Sequence, residues 1–111
     1  MKIAVVGSRN SHVNIEKYMP KNVNLIISGG ASGIDNLAES YAQKHDIPIL
    51  IISPDYKKYG KLAPLKRNEE IVDKADIVIA FWDMQSKGTE HVINYAKSKN
   101  KKVILHKILN I

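Results

Sequence analysis

The chain has 111 residues, a formal net charge of +6 and 44% hydrophobic residues, and it contains no cysteine. This length suits one domain with its own hydrophobic core, and no apolar run approaches the roughly 20 residues that span a bilayer. The lack of cysteine excludes a disulfide framework, a thiol nucleophile and a Cys-ligated metal, and it favours a cytoplasmic location.

The hydrophobic pattern predicts five strands that alternate with helices. The strands are predicted at 2–7, 23–28, 47–52, 76–82 and 102–106, and the helices at 12–19, 34–45, 65–75 and 88–100. Residues 53–62 are predicted to form an irregular loop. We interpret the N-terminal residues 1–9 as a strand and a turn rather than a signal peptide, because the apolar stretch is too short.

Four of the predicted strands are continuously apolar, at 4–6, 25–27, 49–52 and 77–81. This pattern is typical of strands that are buried on both faces, as in a parallel sheet covered by helices. The right-handed crossover rule then favours a Rossmann-like strand order. We therefore expect residues 1–111 to form a single α/β domain, Rossmann-like, with about five parallel strands and helices on both faces.

Three loops of unusual composition follow the first, second and fourth strands. Open parallel sheets bind ligands outside the carboxyl ends of their strands, so all three loops are expected at one edge and predict one binding site. The candidate residues are Gly7, Ser8 and Arg9 in the first loop, Ser28, Gly29, Gly30, Ser32, Gly33 and Asp35 in the second, and Trp82, Asp83, Ser86, Lys87, Gly88 and Thr89 in the third.

The second loop is rich in glycine and runs directly into a predicted helix. Glycines allow a close approach of the backbone to a ligand, and the free N–H groups and dipole of a helix N-terminus favour anions. The alternative is a tight turn in which Ser32 is the N-cap and Asp35 is a capping-box acid.

The third loop repeats this logic, since Gly88 and Thr89 open a helix with Lys87 just before them. The alternative is an ordinary helix cap, in which Glu90 complements the helix dipole. Asp83 is interpreted either as an acceptor for ribose hydroxyls or as a turn former. The side chain of the preceding Trp either stacks on a base or packs in the core.

The sequence contains only two arginines, Arg9 and Arg67, and both lie in these motifs or beside them. The planar guanidinium can bind phosphate through two parallel hydrogen bonds, which lysine cannot do. Asn68 is expected to face the sheet, which leaves Arg67 beside the binding site and within reach of a ligand phosphate. The alternative is a surface ion pair between Arg67 and Glu70 or Asp73.

Several known motifs do not occur in the sequence. There is no G-x-x-x-x-G-K-[ST] stretch, and the first turn is not G-x-G-x-x-G, so neither a P-loop nor ordinary dinucleotide binding is indicated. We predict neither a metal nor a cofactor, because the histidines lack metal-ligand spacing. These histidines are His12, His45, His91 and His106.

A set of short motifs in this order is similar to a known family. The motifs are Gly7-Ser8-Arg9, the stretch 28–35, Tyr59-Gly60, Arg67-Asn68, the stretch 80–83 and the stretch 86–89. They resemble the SLOG superfamily, specifically its small YspA-like branch, which is related to the DNA-processing protein Smf/DprA and to the LOG nucleotide phosphoribohydrolases. The resemblance implies a Rossmann-like fold that binds nucleotides or nucleotide-derived signalling ligands, and it leaves self-association open.

The sequence departs from the phosphoribohydrolase pattern at one position. The resemblance places a catalytic Glu three residues after Thr89, where this chain has Val92. Glu90 lies about 200° away around a helix from that position. Arg67 does match the family's helix arginine, so the resemblance implies a ligand-binding site without its catalytic acid.

Three functions follow from these observations. The first is a module that binds a small nucleotide-type ligand, as a sensor, carrier or sequestering protein. The second is an enzyme that cleaves an N-glycosidic or phosphate bond, with Asp35, Asp83 or Glu90 supplying acid-base chemistry. The third is single-stranded DNA binding, which the low aromatic content of 6% disfavours because such proteins use stacking platforms.

Overall fold

A computed structural model describes residues 1–8, 13–30 and 33–108 of the chain. The strands are β1 (Lys2–Gly7), β2 (Leu25–Ser28), β3 (Ile49–Ile51), β4 (Ile77–Trp82) and β5 (Lys102–Lys107). The helices are α1 (Ile34–Lys44), α2 (Tyr56–Tyr59), α3 (Ala63–Lys74) and α4 (Lys87–Ser98), with short 3-10 turns at Ile15–Tyr18 and Gly60–Leu62.

The five strands form one parallel sheet in the order β3-β2-β1-β4-β5. Alternate residues of β1 face opposite sides of this sheet, as the strand geometry requires. Ile3 and Val5 are buried under α1, whereas Ala4 and Val6 are buried under α3 and α4. The predicted α/β fold, with a Rossmann-like strand order and helices on both faces, is confirmed.

The segment predicted as an irregular loop contains helical structure, so that prediction was wrong. The carboxylate of Asp55 accepts a hydrogen bond of 3.1 Å from the backbone N–H of Lys58 and thereby caps the single turn of α2. A 3-10 turn joins α2 to α3. So short a helix carries no periodic apolar pattern, and the sequence therefore did not reveal it.

The helix predicted at 12–19 is reduced, within the described residues, to the 3-10 turn Ile15–Tyr18. Asn14 caps this turn, because its side-chain oxygen accepts from the N–H of Glu16 at 3.2 Å. Residue 12 lies outside the described residues.

The third strand also differs from its prediction. Its apolar sequence predicted burial on both faces, but β3 is an edge strand of three residues in which Leu50 is 37% exposed and Ile51 is 44% exposed. Continuous apolar sequence does not distinguish an edge strand from a central one. No helix among the described residues is long and apolar enough to cross a membrane.

Candidate functional site

The corner after β1 brings the first loop against the fourth strand. A Cβ on Gly7 would lie 2.4 Å from Cγ1 of Ile34 and 2.8 Å from the carbonyl oxygen of Phe81, so only glycine fits there. The backbone N–H of Ser8 donates to the Phe81 carbonyl at 3.2 Å, and its buried hydroxyl accepts from the N–H of Asp83 at 3.2 Å. Ser8 therefore joins the first and third loops. Arg9 lies outside the described residues.

The carboxylate of Asp83 organises the loop between β4 and α4. Its Oδ1 accepts hydrogen bonds from the backbone N–H groups of Gln85, at 2.9 Å, and Ser86, at 2.8 Å. These bonds stabilise the charged form and hold the pKa of Asp83 below its usual value. Trp82 supports the same loop, because its indole N–H donates to the Ser86 carbonyl at 3.0 Å.

Ser86 is the N-cap of α4. Its hydroxyl accepts from the backbone N–H of Thr89 at 3.4 Å and lies 3.1 Å from the Thr89 hydroxyl. The capping alternative is thus correct in its geometry. It does not remove these residues from the site, because Ser86, Gly88 and Thr89 also border a crevice at the carboxyl edge of the sheet. Lys87 is exposed and does not border that crevice.

The loop between β2 and α1 begins its helix differently. The N-cap of α1 is Gly33, with φ 75° and ψ −122°, a conformation in which a side chain would be strained. The alternative in which Ser32 is the N-cap is therefore wrong, and Ser32 itself lies outside the described residues. Ser28 is fully buried, and its carbonyl accepts from the N–H of Ile52 at 2.9 Å. The second loop is thereby fastened to the end of β3.

The side chain of Arg67 crosses from α3 to the second loop. Its Nη1 donates to the Gly29 carbonyl at 3.0 Å, and its Nε donates to Oδ1 of the buried Asn68 at 2.9 Å. A methyl group on Gly29 would lie 2.8 Å from this Nη1 and 3.3 Å from Oδ2 of Asp35, which is only 8% exposed. A cation and a buried carboxylate therefore both adjoin Gly29.

Arg67 also borders a shallow groove that contains Glu70 and Asp73, the two acids of the alternative interpretation.

The crevice at this edge has a volume of about 550 Å³. Ten of the predicted site residues line it: Gly7, Ser8, Gly29, Asp35, Arg67, Asn68, Asp83, Ser86, Gly88 and Thr89. Five described residues do not: Ser28, Gly30, Gly33, Trp82 and Lys87. The first three shape the second loop, and Trp82 packs beside the core while holding the third.

Sequence reasoning missed six lining residues: Val6, Pro64, Leu65, Ile71, Gln85 and Val92. Most of them are apolar and belong to α3 or α4. The sequence did contain a signal for some of these residues. Pro64 lies four residues before Asn68 and Ile71 lies three residues after it, so both share the helix face of Asn68. In the same way Val92 lies one turn after Gly88.

The two ends of the crevice differ in polarity. The α4 end, formed by Asn68, Ser86, Gly88 and Thr89, presents hydroxyl, amide and backbone N–H groups. Because Asn68 accepts from Arg67 through Oδ1, its donor Nδ2 is directed toward Gly88. The α1 end, formed by Gly29 and Asp35, presents the buried carboxylate of Asp35. The carboxylate of Asp83 also lines the crevice, before α4, where its Oδ1 accepts from the N–H groups of Gln85 and Ser86.

Few acidic side chains line the crevice. Glu90 does not line it, whereas Val92 lies in its wall. Among the described residues, no group of three His, Asp or Glu side chains is placed to hold a metal ion.

The fold and the crevice define a Rossmann-like α/β protein with a candidate ligand site at the carboxyl edge of its sheet. No protein-family profile matches the sequence, and no curated protein matches it either. A solved structure, DNA processing protein A (DprA) from Streptococcus pneumoniae, matches with a TM-score of 0.78 and 22% sequence identity over 98% of this chain.

The chain spans about half of DprA, since the match covers 52% of that protein. At this identity the likeness shows a shared fold, and it is the fold that the resemblance to the SLOG superfamily predicts.

Proposed function

We propose that this chain is a binding module for a nucleotide or a nucleotide derivative, held in the crevice at the carboxyl edge of the sheet. The observation that carries the proposal is the convergence of three glycine-containing loops and Arg67 on one cavity of about 550 Å³. This volume falls within the range of small-molecule sites, about 300–1,000 Å³. Such a module would act as a sensor, a carrier or a sequestering protein.

The polarity of the crevice supports one orientation of the ligand. A phosphate group belongs at the α4 end, where the N-terminus of a 12-residue helix, the Asn68 amide and two hydroxyls supply donors. Arg67, which bonds to Gly29 at one end and to Asn68 at the other, adds a positive charge between the two ends of the crevice. The carboxylate of Asp35 is placed to accept from ribose hydroxyls, and the apolar wall is suited to a base.

The residues around the crevice favour binding over hydrolysis. Val92 occupies the position where the phosphoribohydrolase pattern has its catalytic Glu, and it lines the crevice without a titratable group. Asp83 is a poor general acid, because its lowered pKa keeps it charged near neutral pH. Glu90 does not reach the lining.

A thermal-shift panel tests the proposal with nucleosides, nucleoside monophosphates, cyclic nucleotides and ADP-ribose. A ligand at a hundred times its Kd stabilises the folded state by roughly 2.7 kcal/mol. In a domain of this size that raises Tm by about 10–20 °C. Chromatography of the same mixtures detects turnover. A shift without products supports a binding module, a shift with products supports the enzyme, and no shift with any compound overturns the proposal.

A second candidate, single-stranded DNA binding, is favoured by two observations. The fold matches a DNA processing protein. Beside the crevice, the segment 56–68 contains no acidic residue and exposes Tyr56, which is 62% exposed, together with Lys57, Lys58 and Lys61. Aromatic and basic side chains of this kind bind single strands by stacking and by charge.

The two candidates differ in their response to salt. Binding of an oligonucleotide through phosphate contacts weakens as salt rises, with a slope of about 0.7 per contact in a log–log plot. The double variant Lys57→Gln/Lys58→Gln should flatten that slope while leaving the thermal shift by a mononucleotide unchanged. If oligonucleotides bind no tighter than mononucleotides, the second candidate is rejected.

A further inference from the structure

The two edges of the sheet are protected to different degrees. The β5 edge carries an exposed lysine at each end, Lys102 and Lys107, which is a common protection against edge-to-edge pairing. The β3 edge consists of Ile49, Leu50 and Ile51 and contains no charge. Leu50 is 37% exposed and Ile51 is 44% exposed, and they lie on opposite faces of the strand. An apolar edge of this kind is a site for pairing with another strand.

The pairing of β3 with β2 fixes which backbone groups point outward. The carbonyl of Pro48 accepts from the N–H of Ile26, and the N–H of Ile52 donates to the carbonyl of Ser28. The N–H and C=O of one residue point to the same side of a strand, and successive residues alternate. Ile49 and Ile51 therefore direct both of their backbone polar groups away from β2.

The proline at the start of β3 does not protect this outer edge. The backbone carbonyl of Pro48 points toward β2, because it accepts from the N–H of Ile26. The N–H that proline lacks would point to the same inner side, so its absence does not affect the outer edge. The outward-facing positions, Ile49 and Ile51, each offer one donor and one acceptor. This edge is consequently able to form a regular ladder.

We propose that β3 is a self-association surface, on which a second copy of this chain pairs antiparallel across a two-fold axis at Leu50. Ile49 then exchanges two hydrogen bonds with the partner's Ile51, and Ile51 exchanges two with the partner's Ile49. Leu50 faces the partner's Leu50 as a non-hydrogen-bonded pair with a Cα separation of about 4.5 Å. The two sheets become one continuous ten-stranded sheet, and the strand is self-complementary, as a two-fold interface requires.

The surroundings of Leu50 fit a second copy of the chain. Leu50 borders a cavity of about 370 Å³ in which Leu25 and Ala75 are the other apolar lining residues, and the partner's Leu50 would contact them there. The rim carries both signs of charge, including Asp73 and Lys74, so two copies do not present only like charges to each other. An anionic partner has no such match, because acidic groups also border this cavity.

This association does not depend on the ligand crevice, because neither Leu50 nor Ile51 lines it. The contact area of a three-residue strand is small, so the dimer is expected to be weak and concentration-dependent. Each copy carries a net charge of +6, and screening of that charge by salt should strengthen the dimer. Binding to a nucleic acid would respond to salt in the opposite direction.

Disulfide trapping tests both the pairing and its register, since the natural chain has no cysteine. In Leu50→Cys the two cysteines meet across the two-fold axis at about 4.5 Å between Cα atoms, within the range that a disulfide spans. In the matched control Ile51→Cys the two cysteines lie more than about 8 Å apart, which is too far. Both positions are exposed, and circular dichroism is the check that each variant is folded.

Under mild oxidation at high protein concentration, Leu50→Cys should give at least about ten-fold more covalent dimer than Ile51→Cys. Sedimentation velocity of the natural chain should show a dimer fraction that rises with concentration and with salt, and Leu50→Lys should abolish it. Equal trapping of the two cysteine variants would overturn the register. A natural chain that sediments as a monomer at all concentrations would overturn the proposal, whatever the variants do.

Discussion

The two helix N-termini at the crevice look alike in sequence and differ in chemistry. Both have a glycine at or near their start, Gly33 as the N-cap of α1 and Gly88 in the first turn of α4, and both have an acid in the first turn, Asp35 in α1 and Glu90 in α4. At α1 the acid is buried and lines the crevice, while at α4 the acid does not line it and the cap is a serine hydroxyl. The end with more glycine therefore presents the buried carboxylate of Asp35, whereas the carboxylate near α4, that of Asp83, is bound by the N–H groups of Gln85 and Ser86.

This difference teaches that glycine content does not by itself identify an anion site. The second loop has three glycines, Gly29, Gly30 and Gly33, and their roles are turns and close packing. The donors that suit a phosphate come from Ser86, Thr89 and a buried asparagine. The orientation proposed for the ligand follows from where donors and carboxylates lie.

The largest effect on stability is expected from a substitution of Gly7, which lies in the corner next to both ends of the crevice. Gly7→Ala places a methyl group 2.4 Å from the Ile34 side chain and 2.8 Å from the Phe81 carbonyl. Overpacking of a closely packed site costs roughly 1–3 kcal/mol, which lowers Tm by about 4–8 °C per kcal/mol. Thermal denaturation measures it. Because Ser8 joins the loops next to this corner, both ends should lose affinity together, and an unchanged Tm would contradict the packing.

The next effect concerns the arginine between the two ends. Arg67→Lys cannot keep both bonds, to Gly29 and to Asn68, so we expect about a ten-fold or greater loss of affinity for a nucleoside monophosphate. A smaller loss of stability should accompany it, of about 1 kcal/mol. Calorimetric titration and thermal denaturation measure the two.

The matched control for this variant is Lys66→Ala on the same helix. Lys66 is exposed and contacts Glu69 at a distance of 3.8 Å, so neither affinity nor stability should change appreciably in the variant. If Arg67→Lys behaves like Lys66→Ala, the arginine has no part in binding.

A smaller effect on stability is expected from protonation of Asp83, whose carboxylate holds the loop before α4. The folded-state pKa of Asp83 is lowered by the backbone N–H groups of Gln85 and Ser86. Its stabilisation is therefore fully present above the unfolded pKa of about 3.9 and is lost as pH falls through the lower folded value. The Tm of the natural chain should fall toward that of Asp83→Asn below about pH 4. A Tm difference that stays constant from pH 6 to pH 2 would contradict this role.

Much of this architecture could be predicted from sequence, because it follows from strong local signals. Buried parallel strands are continuously apolar, and loops at their carboxyl ends must share one edge. These signals, together with the helix-face argument for Arg67 and Asn68, also predicted ten residues that line the crevice at that edge. They failed for β3, whose apolar run is identical in kind to that of a central strand although it lies at the border of the sheet.

The remaining features depend on contacts that are distant in sequence. Gly33 rather than Ser32 is the N-cap of α1, because the backbone at the cap has a positive φ. That Asp83 is a turn former follows from its bonds to residues two and three positions later, which the sequence allowed but did not select. The bond between Arg67 and Gly29 joins residues 38 positions apart, and no local pattern encodes it.

The central claim is that the phosphate lies at the α4 end and the hydroxyls lie at the α1 end. Gly88→Ala tests it, because the new Cβ fits without strain, 3.9 Å from Nδ2 of Asn68, yet enters the space assigned to the phosphate. Asp35→Asn is the counterpart, a change of nearly the same shape that removes the negative charge and one of the two acceptor oxygens at the other end.

The decisive measurement is the ratio of Kd for a nucleoside to Kd for its monophosphate, by calorimetric titration of the compound that gives the largest thermal shift. The account predicts that Gly88→Ala lowers this ratio about ten-fold, which corresponds to 1.4 kcal/mol, by weakening only the monophosphate. Asp35→Asn should weaken both compounds and leave the ratio unchanged. An unchanged ratio in Gly88→Ala, or tighter binding of the monophosphate by Asp35→Asn, would place the phosphate at the α1 end and contradict the account.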